Sequence, residues 1–254
     1  MPRPLVAANW KMHTTLAEAR GLAAAARKGV EAFQGVEVVL FPPFPYLPEV
    51  KEVLEGSPVL LGAQNMHPEE KGAFTGEVSP LMVAEFCDFV LIGHSERRAH
   101  FCEDDVLIHR KVKAALAHGL RPILCVGERL EDRRAGQAEE VVRGQLEAAL
   151  EGVEYALGMA IAYEPVWAIG TGVPATPQEA SEMSGEIFRV LAVLLGEHQA
   201  RDIPVLYGGS VSAESIEGFV ESPWVHGALV GGASLKAEEF VEIVRRTARA
   251  KGLL

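Results

Sequence analysis

Short apolar runs alternate regularly with longer segments of helical periodicity along this chain. The runs are apolar at nearly every position, whereas a half-exposed antiparallel strand would alternate apolar and polar residues. They therefore predict parallel strands that are buried on both faces. The eight predicted strands cover residues 5–8, 37–41, 59–63, 89–92, 122–126, 159–163, 204–207 and 228–230.

The segments between these runs carry the signals of helices. A helix is predicted over residues 105–116, because Glu103-Asp104 precede it and Gly119 closes it. Thr176 is a favourable N-cap, and Pro177 after it suits a first helical turn. The charged run at residues 131–134 is interpreted as a solvated helix face. Further helices are predicted to begin at Leu16, Ser212 and Leu235.

Eight strands that are each followed by a helix fit either an open doubly wound sheet or a closed barrel. A dinucleotide-binding open sheet would carry a G-x-G-x-x-G pattern after its first strand, but Asn9-Trp10-Lys11 stands there. The even count of eight strands and the length of 254 residues favour a closed (β/α)8 barrel. No linker or shift in composition divides the chain, so a single domain over residues 1–254 is expected.

The charge and the cysteine content argue against several classes of function. A formal net charge of −11 disfavours non-specific binding to nucleic acid or anionic membranes, although a local site can still hold an anion. The three cysteines have no CxxC spacing, which fits a reducing compartment, and Cys125 is expected to pack within its strand. No signal-peptide pattern and no apolar run near the roughly 18 residues of a membrane span are present, so a cytoplasmic setting is expected.

Polar residues gather at the carboxyl ends of the predicted strands, where barrels of this kind place their chemistry. Lys11, His94 and Glu164 follow strands one, four and six. Glycine-rich turns at Gly208-Gly209-Ser210 and Gly231-Gly232 follow strands seven and eight, where barrels often bind a phosphate. Taken singly, the acid fits a structural salt bridge, the histidine a buried core position and the lysine a solvated surface. The set is more informative than any one of its members.

Five segments resemble the signatures of the triosephosphate isomerase family, and they occur in that family's order. They are residues 9–12, 93–98, 162–172, 207–210 and 230–233. The resemblance covers the whole chain. It implies a (β/α)8 barrel that interconverts dihydroxyacetone phosphate and D-glyceraldehyde 3-phosphate through an enediol(ate), in glycolysis and gluconeogenesis. It also implies that no cofactor and no metal is used.

The same resemblance implies roles for five polar residues. Glu164 would be the base that moves a proton between the two substrate carbons. His94 would be a neutral hydrogen-bond donor, because it stands at a predicted helix start whose N–H groups disfavour a positive ring. Lys11 would meet the negative charge of the substrate and of the enediolate. Asn9 would orient Lys11 or the substrate, and Glu96 would be a supporting acid; a turn residue and a helix-terminal carboxylate are the ordinary alternatives.

The substrate phosphate would be held by backbone N–H groups, since glycine lets such groups converge without side chains in the way. The positions that match the family's donors are Gly170, Ser210, Gly231 and Gly232. Taken singly, each of the glycines also fits an ordinary turn.

Residues 165–176 are predicted to form a lid, because the ends of the segment carry proline and small residues and its middle is apolar enough to exclude water. The lid residues are Pro165, Trp167, Ala168, Ile169, Thr171 and Ala175. The resemblance implies that Trp167 contacts Glu128 when the lid is open. It implies that Tyr207 contacts Ala175 when the lid is closed.

One pair in the lid departs from the family pattern: Val173-Pro174 stands where the family commonly has Lys-Thr. Proline fixes φ and stiffens a hinge. We therefore expect the pair to change lid kinetics more than chemistry. Unchanged turnover and unchanged lid relaxation in a Lys-Thr variant would reject this hypothesis.

Residues 64–79 form a long irregular segment for a compact domain, and such loops usually have a function. In the family the loop reaches into the neighbouring subunit, and Thr75 matches a threonine near the neighbour's site. A homodimer is therefore expected, or a homotetramer built from two dimers. An exposed flap is the alternative, which Phe74 and Met66 make unfavourable because they are apolar.

Three other functions fit the sequence less well. A barrel aldolase would carry a Schiff-base lysine at a strand end, commonly the sixth, which here ends in Glu164. A metal-dependent epimerase needs several His, Asp or Glu ligands, and apart from His94 the strand ends offer no such set. A non-catalytic barrel relative used for binding would be expected to have lost Lys11, His94 or Glu164, and all three are present.

Overall fold

Eight parallel strands close into a barrel in the computed structural model, which describes residues 2–33, 35–156, 158–169 and 175–254. The strands are β1 (Leu5–Asn9), β2 (Glu37–Phe41), β3 (Leu60–Ala63), β4 (Phe89–Ile92), β5 (Arg121–Val126), β6 (Ala160–Tyr163), β7 (Val205–Tyr207) and β8 (Gly227–Val230). They pair in sequence order, and β8 pairs with β1. The predicted (β/α)8 barrel is thereby confirmed, and each strand bound agrees with its prediction to within one residue.

Helices follow every strand and cover the outside of the barrel. They are α1 (Leu16–Val30), α2 (Leu47–Leu54), α3 (Pro80–Ala84), α4 (Ser95–His100), α5 (Asp105–Ala117), α6 (Leu130–Arg134), α7 (Ala138–Leu150), α8 (Pro177–Leu195), α9 (Glu197–Ala200), α10 (Ile216–Val220) and α11 (Ala237–Ala250). Short 3₁₀ turns lie at Phe44–Tyr46, Val166–Ala168 and Gly232–Leu235. No helix in the described part of the chain is both long and apolar enough to cross a bilayer.

Side-chain caps fix where several of these helices begin. Asp104 accepts a hydrogen bond from the N–H of Leu107 at 2.8 Å and caps α5, as predicted. Thr176 and Glu179 form a reciprocal capping box at the start of α8. The helix predicted to begin at Ser212 was placed too early, because the Ser212 hydroxyl accepts from the N–H of Ser215 and forms a turn. Side-chain bonding of this kind competes with the helix, which begins at Ile216 instead.

The strands separate two apolar layers. One layer fills the barrel interior, and the other lies between the strands and the helices. Both layers are fully buried, which is why the strand sequences are apolar without alternation. Cys125 lies in the interior layer, where burial raises its pKa, in accord with a packing role.

The closure of the barrel depends on a glycine. Gly227 begins β8 with φ of 153° and pairs with Leu5 in β1. A Cβ atom at this position would lie 1.8 Å from the carbonyl oxygen of Leu5. The first and last strands therefore meet at a distance that only glycine allows.

Candidate active site

A pocket of about 560 Å³ opens at the carboxyl ends of the strands. The sequence-predicted site residues that line it are Asn9, Lys11, His94, Glu96, Glu164, Ile169, Ser210, Gly231 and Gly232. The strand ends that carry these residues are distant in sequence, and the closure of the barrel brings them together. In the described part of the chain, no three or more His, Cys, Asp or Glu side chains are grouped as metal ligands would be.

Glu164 follows β6 and is 2% exposed. Its Oε1 atom lies 3.0 Å from Nε2 of His94, and its Oε2 atom accepts from the N–H of Ser95 at 2.8 Å. The backbone beneath it is tightly packed, since a Cβ at Gly127 would lie 1.7 Å from the Glu164 carbonyl oxygen. A buried carboxylate is therefore fixed in position by two hydrogen-bond donors.

His94 is the N-cap residue of α4, and its ring is buried. Nδ1 accepts a hydrogen bond from the N–H of Glu96 at 3.2 Å. A neutral ring in this geometry carries its proton on Nε2, which faces Glu164. Burial lowers the pKa of His94, but the charge of Glu164, the hydrogen bond to it and the charge of Glu96 together outweigh burial and place that pKa above its ordinary value.

Lys11 adopts a left-handed backbone conformation with φ of 52°, which typically costs about 1–3 kcal/mol outside glycine. Its N–H donates to Oδ1 of Asn9 at 2.9 Å. Its carbonyl oxygen accepts from Nε2 of Gln64 at 2.7 Å, and the same nitrogen donates to the Phe41 carbonyl oxygen at 2.8 Å. Gln64 and Asn9 therefore hold the strained backbone that aims the lysine. Sequence reasoning assigned no such role to Gln64.

The ammonium group of Lys11 reaches Oε1 of Glu96 at 2.5 Å. Burial alone would raise the pKa of Glu96. The hydrogen bond from Lys11 and the nearby His94 lower this pKa by more than burial raises it, so it lies below its ordinary value. The Lys11 chain also passes over Gly231, where an added Cβ would lie 3.4 Å from its Cε atom. The cation thus sits between Glu96 and the glycine turn after β8.

The two turns predicted to bind a phosphate border the same pocket. Gly231 and Gly232 begin a 3₁₀ turn, in which Ser234 donates to the Gly231 carbonyl oxygen through both its N–H and its hydroxyl. The hydroxyl of Ser210 donates to the carbonyl oxygen of Ala168 at 3.1 Å, which links the turn after β7 to the predicted lid. The fourth predicted donor, Gly170, lies outside the described residues.

The first part of the predicted lid contacts the barrel through Trp167. Its Nε1 donates to Oε1 of Glu128 at 2.7 Å, and the Tyr163 hydroxyl donates to the same oxygen at 3.1 Å. The Tyr207 hydroxyl is buried beside the backbone of Ala175, and burial raises its pKa to about 12 although the interaction with Ala175 opposes that rise. The described residues thus have the Trp167 contact expected of an open lid together with an interaction between Tyr207 and Ala175, which is expected of a closed one.

The rest of the lid is described in part. The 3₁₀ turn Val166–Ala168 follows Pro165, and Ala168 is buried against the core. The predicted lid residue Thr171 and the pair Val173-Pro174 lie outside the described residues. Their roles stay predictions.

The prediction of a solvated face at residues 131–134 is wrong for Arg133. Its guanidinium donates to Glu179 at 2.6 Å and to Glu128 at 3.2 Å, and it lies over the ring of Trp167. These contacts could not be predicted from the charged run itself, because they depend on where α6 lies relative to the lid.

The loop at residues 64–79 has no helix or strand, and Thr75 and Phe74 are exposed in it. Met66 is fully buried within the chain, so this side chain does not require a partner subunit. Phe74 remains as the apolar residue that would be covered in an oligomer, and the interface role of Thr75 stays a prediction.

Comparison with known proteins gives concordant results. The sequence model of the family described as triosephosphate isomerase matches residues 4–247. A protein of Dehalococcoides mccartyi is 49% identical over 248 residues, covering 98% of both chains, and proteins of Carboxydothermus hydrogenoformans and Caldanaerobacter subterraneus are each 50% identical, covering 96% of this chain and 99% of theirs. All three relatives bear the name triosephosphate isomerase.

Proposed function

The chain belongs to the triosephosphate isomerase family, and we propose that Glu164, His94 and Lys11 carry out its isomerisation of dihydroxyacetone phosphate to D-glyceraldehyde 3-phosphate and back. The observation that supports these roles is the 3.0 Å contact between Glu164 and Nε2 of His94, in a pocket that also holds Lys11. A base, a neutral donor and a cation thus border one space that is large enough for a triose phosphate.

The reaction needs a base that serves two adjacent carbons. Glu164 removes a proton from C1 of dihydroxyacetone phosphate, which leaves an enediolate and a neutral carboxyl group, and it returns a proton to C2. In the ligand-free arrangement its two oxygens are occupied by His94 and the N–H of Ser95. The substrate takes the place of these partners.

Negative charge develops on the substrate oxygens when the proton leaves, and two donors meet it. Nε2–H of His94 donates to these oxygens, and the ammonium of Lys11 lies close to them. Glu96 pairs with Lys11 in the free protein and releases it to the substrate. Asn9 acts through the backbone of Lys11, whose N–H it accepts.

The phosphate is proposed to bind at the glycine turns opposite the base. Backbone N–H groups of Ser210, Gly231 and Gly232, with that of Gly170 from the lid, act as its donors. Residues 165–176 then close over the substrate, which keeps water out and prevents the enediolate from losing its phosphate.

The wider organisation is proposed on sequence grounds. Residues 1–254 form one domain, and two copies form a homodimer in which the loop around Thr75 reaches the partner. Two such dimers would form a homotetramer, and the mass measured by sedimentation distinguishes the two assemblies. The protein acts in the cytoplasm, in glycolysis and gluconeogenesis. A monomeric mass in sedimentation with full activity would remove the dimer from this account.

The function is tested by coupling formation of dihydroxyacetone phosphate from D-glyceraldehyde 3-phosphate to a reductase that consumes it. Glu164→Asp withdraws the carboxylate by one methylene and is expected to lower kcat by roughly 10²-fold or more. Glu238→Asp makes the same change on the exposed first turn of α11 and should leave kcat unchanged. A wild-type protein without turnover, or a Glu164→Asp variant as fast as wild type, would reject the assignment.

A further inference from the structure

Glu164 lies between two glycines that follow the neighbouring strands. Gly127 follows β5 and Gly208 follows β7, and these strands pair with β6 on its two sides. A Cβ atom at Gly127 would lie 1.7 Å from the carbonyl oxygen of Glu164, and one at Gly208 would lie 2.9 Å from its Cγ atom. The N–H of Glu164 also donates to the carbonyl oxygen of Val126 at 2.8 Å. In so closely packed a region, the place of the carboxylate depends on where these two backbone segments lie.

The backbone of Gly127 is held by one side chain from α7. Oε1 of Gln145 accepts from the N–H of Gly127 at 2.8 Å, and its Nε2 atom donates to the carbonyl oxygen of the same glycine at 3.1 Å. The pair of bonds requires the amide to have this orientation, since a flipped amide would set donor against donor and acceptor against acceptor. Gln145 is not among the described residues that line the pocket, so it acts on the site only through Gly127.

The helix that carries Gln145 is a firm support. Val142, Leu146 and Ala149 of α7 are fully buried, and the helix packs against α5 and α8. Glycine has more conformational freedom than any other residue, so the backbone at Gly127 needs an external constraint to stay in one place. The double hydrogen bond from Gln145 supplies that constraint directly beneath the carbonyl group of Glu164.

We propose that Gln145 is a positioning residue that sets the place of the Glu164 carboxylate through the backbone of Gly127. The inference rests on the proposed function, in which Glu164 is the base. A displacement of about 1 Å in a reacting group can lower the rate roughly 10²-fold, even when the altered residue is remote from the chemistry. The substrate phosphate is proposed to bind elsewhere, at the turns after β7 and β8. Loss of Gln145 should therefore slow proton transfer more than it weakens binding.

The test compares Gln145→Met with Gln199→Met. Methionine keeps the unbranched shape of glutamine but cannot replace its two hydrogen bonds. Gln199 in α9 is a matched control, because it is also half-buried and also holds backbone groups. Its amide accepts from the N–H of Ala156 at 3.3 Å and donates to the carbonyl oxygens of Glu154 and Leu195 at 3.0 and 2.9 Å. These partners precede β6 and β7, at the end of the barrel opposite the pocket.

In Gln145→Met kcat is expected to fall roughly 10- to 100-fold, while KM and the inhibition constant for inorganic phosphate change by less than about twofold. In Gln199→Met kcat should stay within about twofold of wild type. With D-glyceraldehyde 3-phosphate deuterated at C2, the isotope effect on kcat should be larger in Gln145→Met than in wild type, because removal of that proton becomes the slower step. A residue that merely supported the fold would lower kcat through a smaller folded fraction and leave the isotope effect unchanged. Urea denaturation shows whether each variant is fully folded during the assay.

A second variant removes only one of the two bonds. Gln145→Glu keeps the side-chain length and the acceptor for the N–H of Gly127, but a carboxylate cannot donate to the carbonyl oxygen. Its kcat should lie between those of wild type and Gln145→Met, and a fall of about threefold or more carries the test if Gln145→Met fails to fold. A kcat within about twofold of wild type in the folded variant, an equal fall in Gln199→Met, or a rise in KM at unchanged kcat would overturn the proposal. Absence of turnover in wild type, or a Glu164→Asp variant as fast as wild type, would instead reject the proposed function.

Discussion

The Nδ1 atom of His94 accepts a hydrogen bond from the backbone N–H of Glu96, at 3.2 Å. A second proton on the ring would have to replace that bond, so the geometry fits a neutral imidazole with its proton on Nε2. The neighbouring carboxylate of Glu164 opposes this, because its negative charge raises the pKa of His94. Under the proposed mechanism this opposition ends when Glu164 accepts the substrate proton and becomes neutral, which is when a neutral donor is needed.

Glu164→Gln is expected to lower the pKa of His94 in the free protein. Burial lowers this pKa and Glu164 raises it, so removal of the carboxylate leaves burial as the dominant influence, with the charges of Glu96 and Lys11 opposing each other. An NMR titration of the ring nitrogens measures the change. Glu96→Gln removes a weaker and more distant influence and should lower the same pKa less. A His94 pKa that stays the same or rises in Glu164→Gln would contradict the interpretation.

Gln64→Leu is expected to lower kcat/KM on the order of 10- to 100-fold, because the carbonyl oxygens of Lys11 and Phe41 lose their shared donor. The strained backbone of Lys11 can then relax and move its ammonium group. Steady-state kinetics measure the effect, with Gln137→Leu on an exposed position as the matched control. Wild-type kinetics in Gln64→Leu would show that Asn9 and packing are enough to fix Lys11.

The barrel could be predicted from the sequence because each strand is an unbroken apolar run, as burial on both faces of the strand requires. The sequence could also place Lys11, His94 and Glu164 together, since the carboxyl ends of parallel strands meet at one rim. The contacts of Gln64 and Arg133 could not be predicted. Gln64 reaches a carbonyl 53 positions away, and Arg133 reaches a carboxylate 46 positions away, across elements whose relative placement no local pattern encodes. The chemical roles themselves came from family resemblance.

Two glycine substitutions should affect stability in opposite directions. Gly227→Ala places a Cβ 1.8 Å from the Leu5 carbonyl oxygen in a backbone conformation that suits only glycine, so it is expected to cost more than about 3 kcal/mol. Gly21→Ala adds a Cβ into open space on α1 and should stabilise the protein by about 1 kcal/mol. Urea denaturation at one protein concentration measures both. A Gly227→Ala variant as stable as wild type would show that the pairing of β1 and β8 can shift.

The protein is expected to lose stability in acid through the protonation of His226. His226 is buried, and its Nδ1 atom accepts from the N–H of Val205 at 3.1 Å. Burial, with the positive charge of Lys251, lowers its pKa from 6.5 to about 4. The unfolded chain therefore binds a proton at a higher pH than the folded one does. The stability that the neutral ring provides is complete above pH 6.5 and is lost as the pH falls toward 4.

The difference between the His226 pKa of the unfolded chain and that of the folded chain corresponds to about 3 kcal/mol in the free energy of unfolding. His226→Asn keeps an acceptor for Val205 and cannot be protonated, so its stability should fall by about 2 kcal/mol less than that of wild type between pH 7.5 and 4.5. Urea titrations at the two pH values measure the loss, and His198→Asn on the exposed surface of α9 should behave as wild type. An equal loss in wild type and His226→Asn would assign the acid sensitivity to other groups.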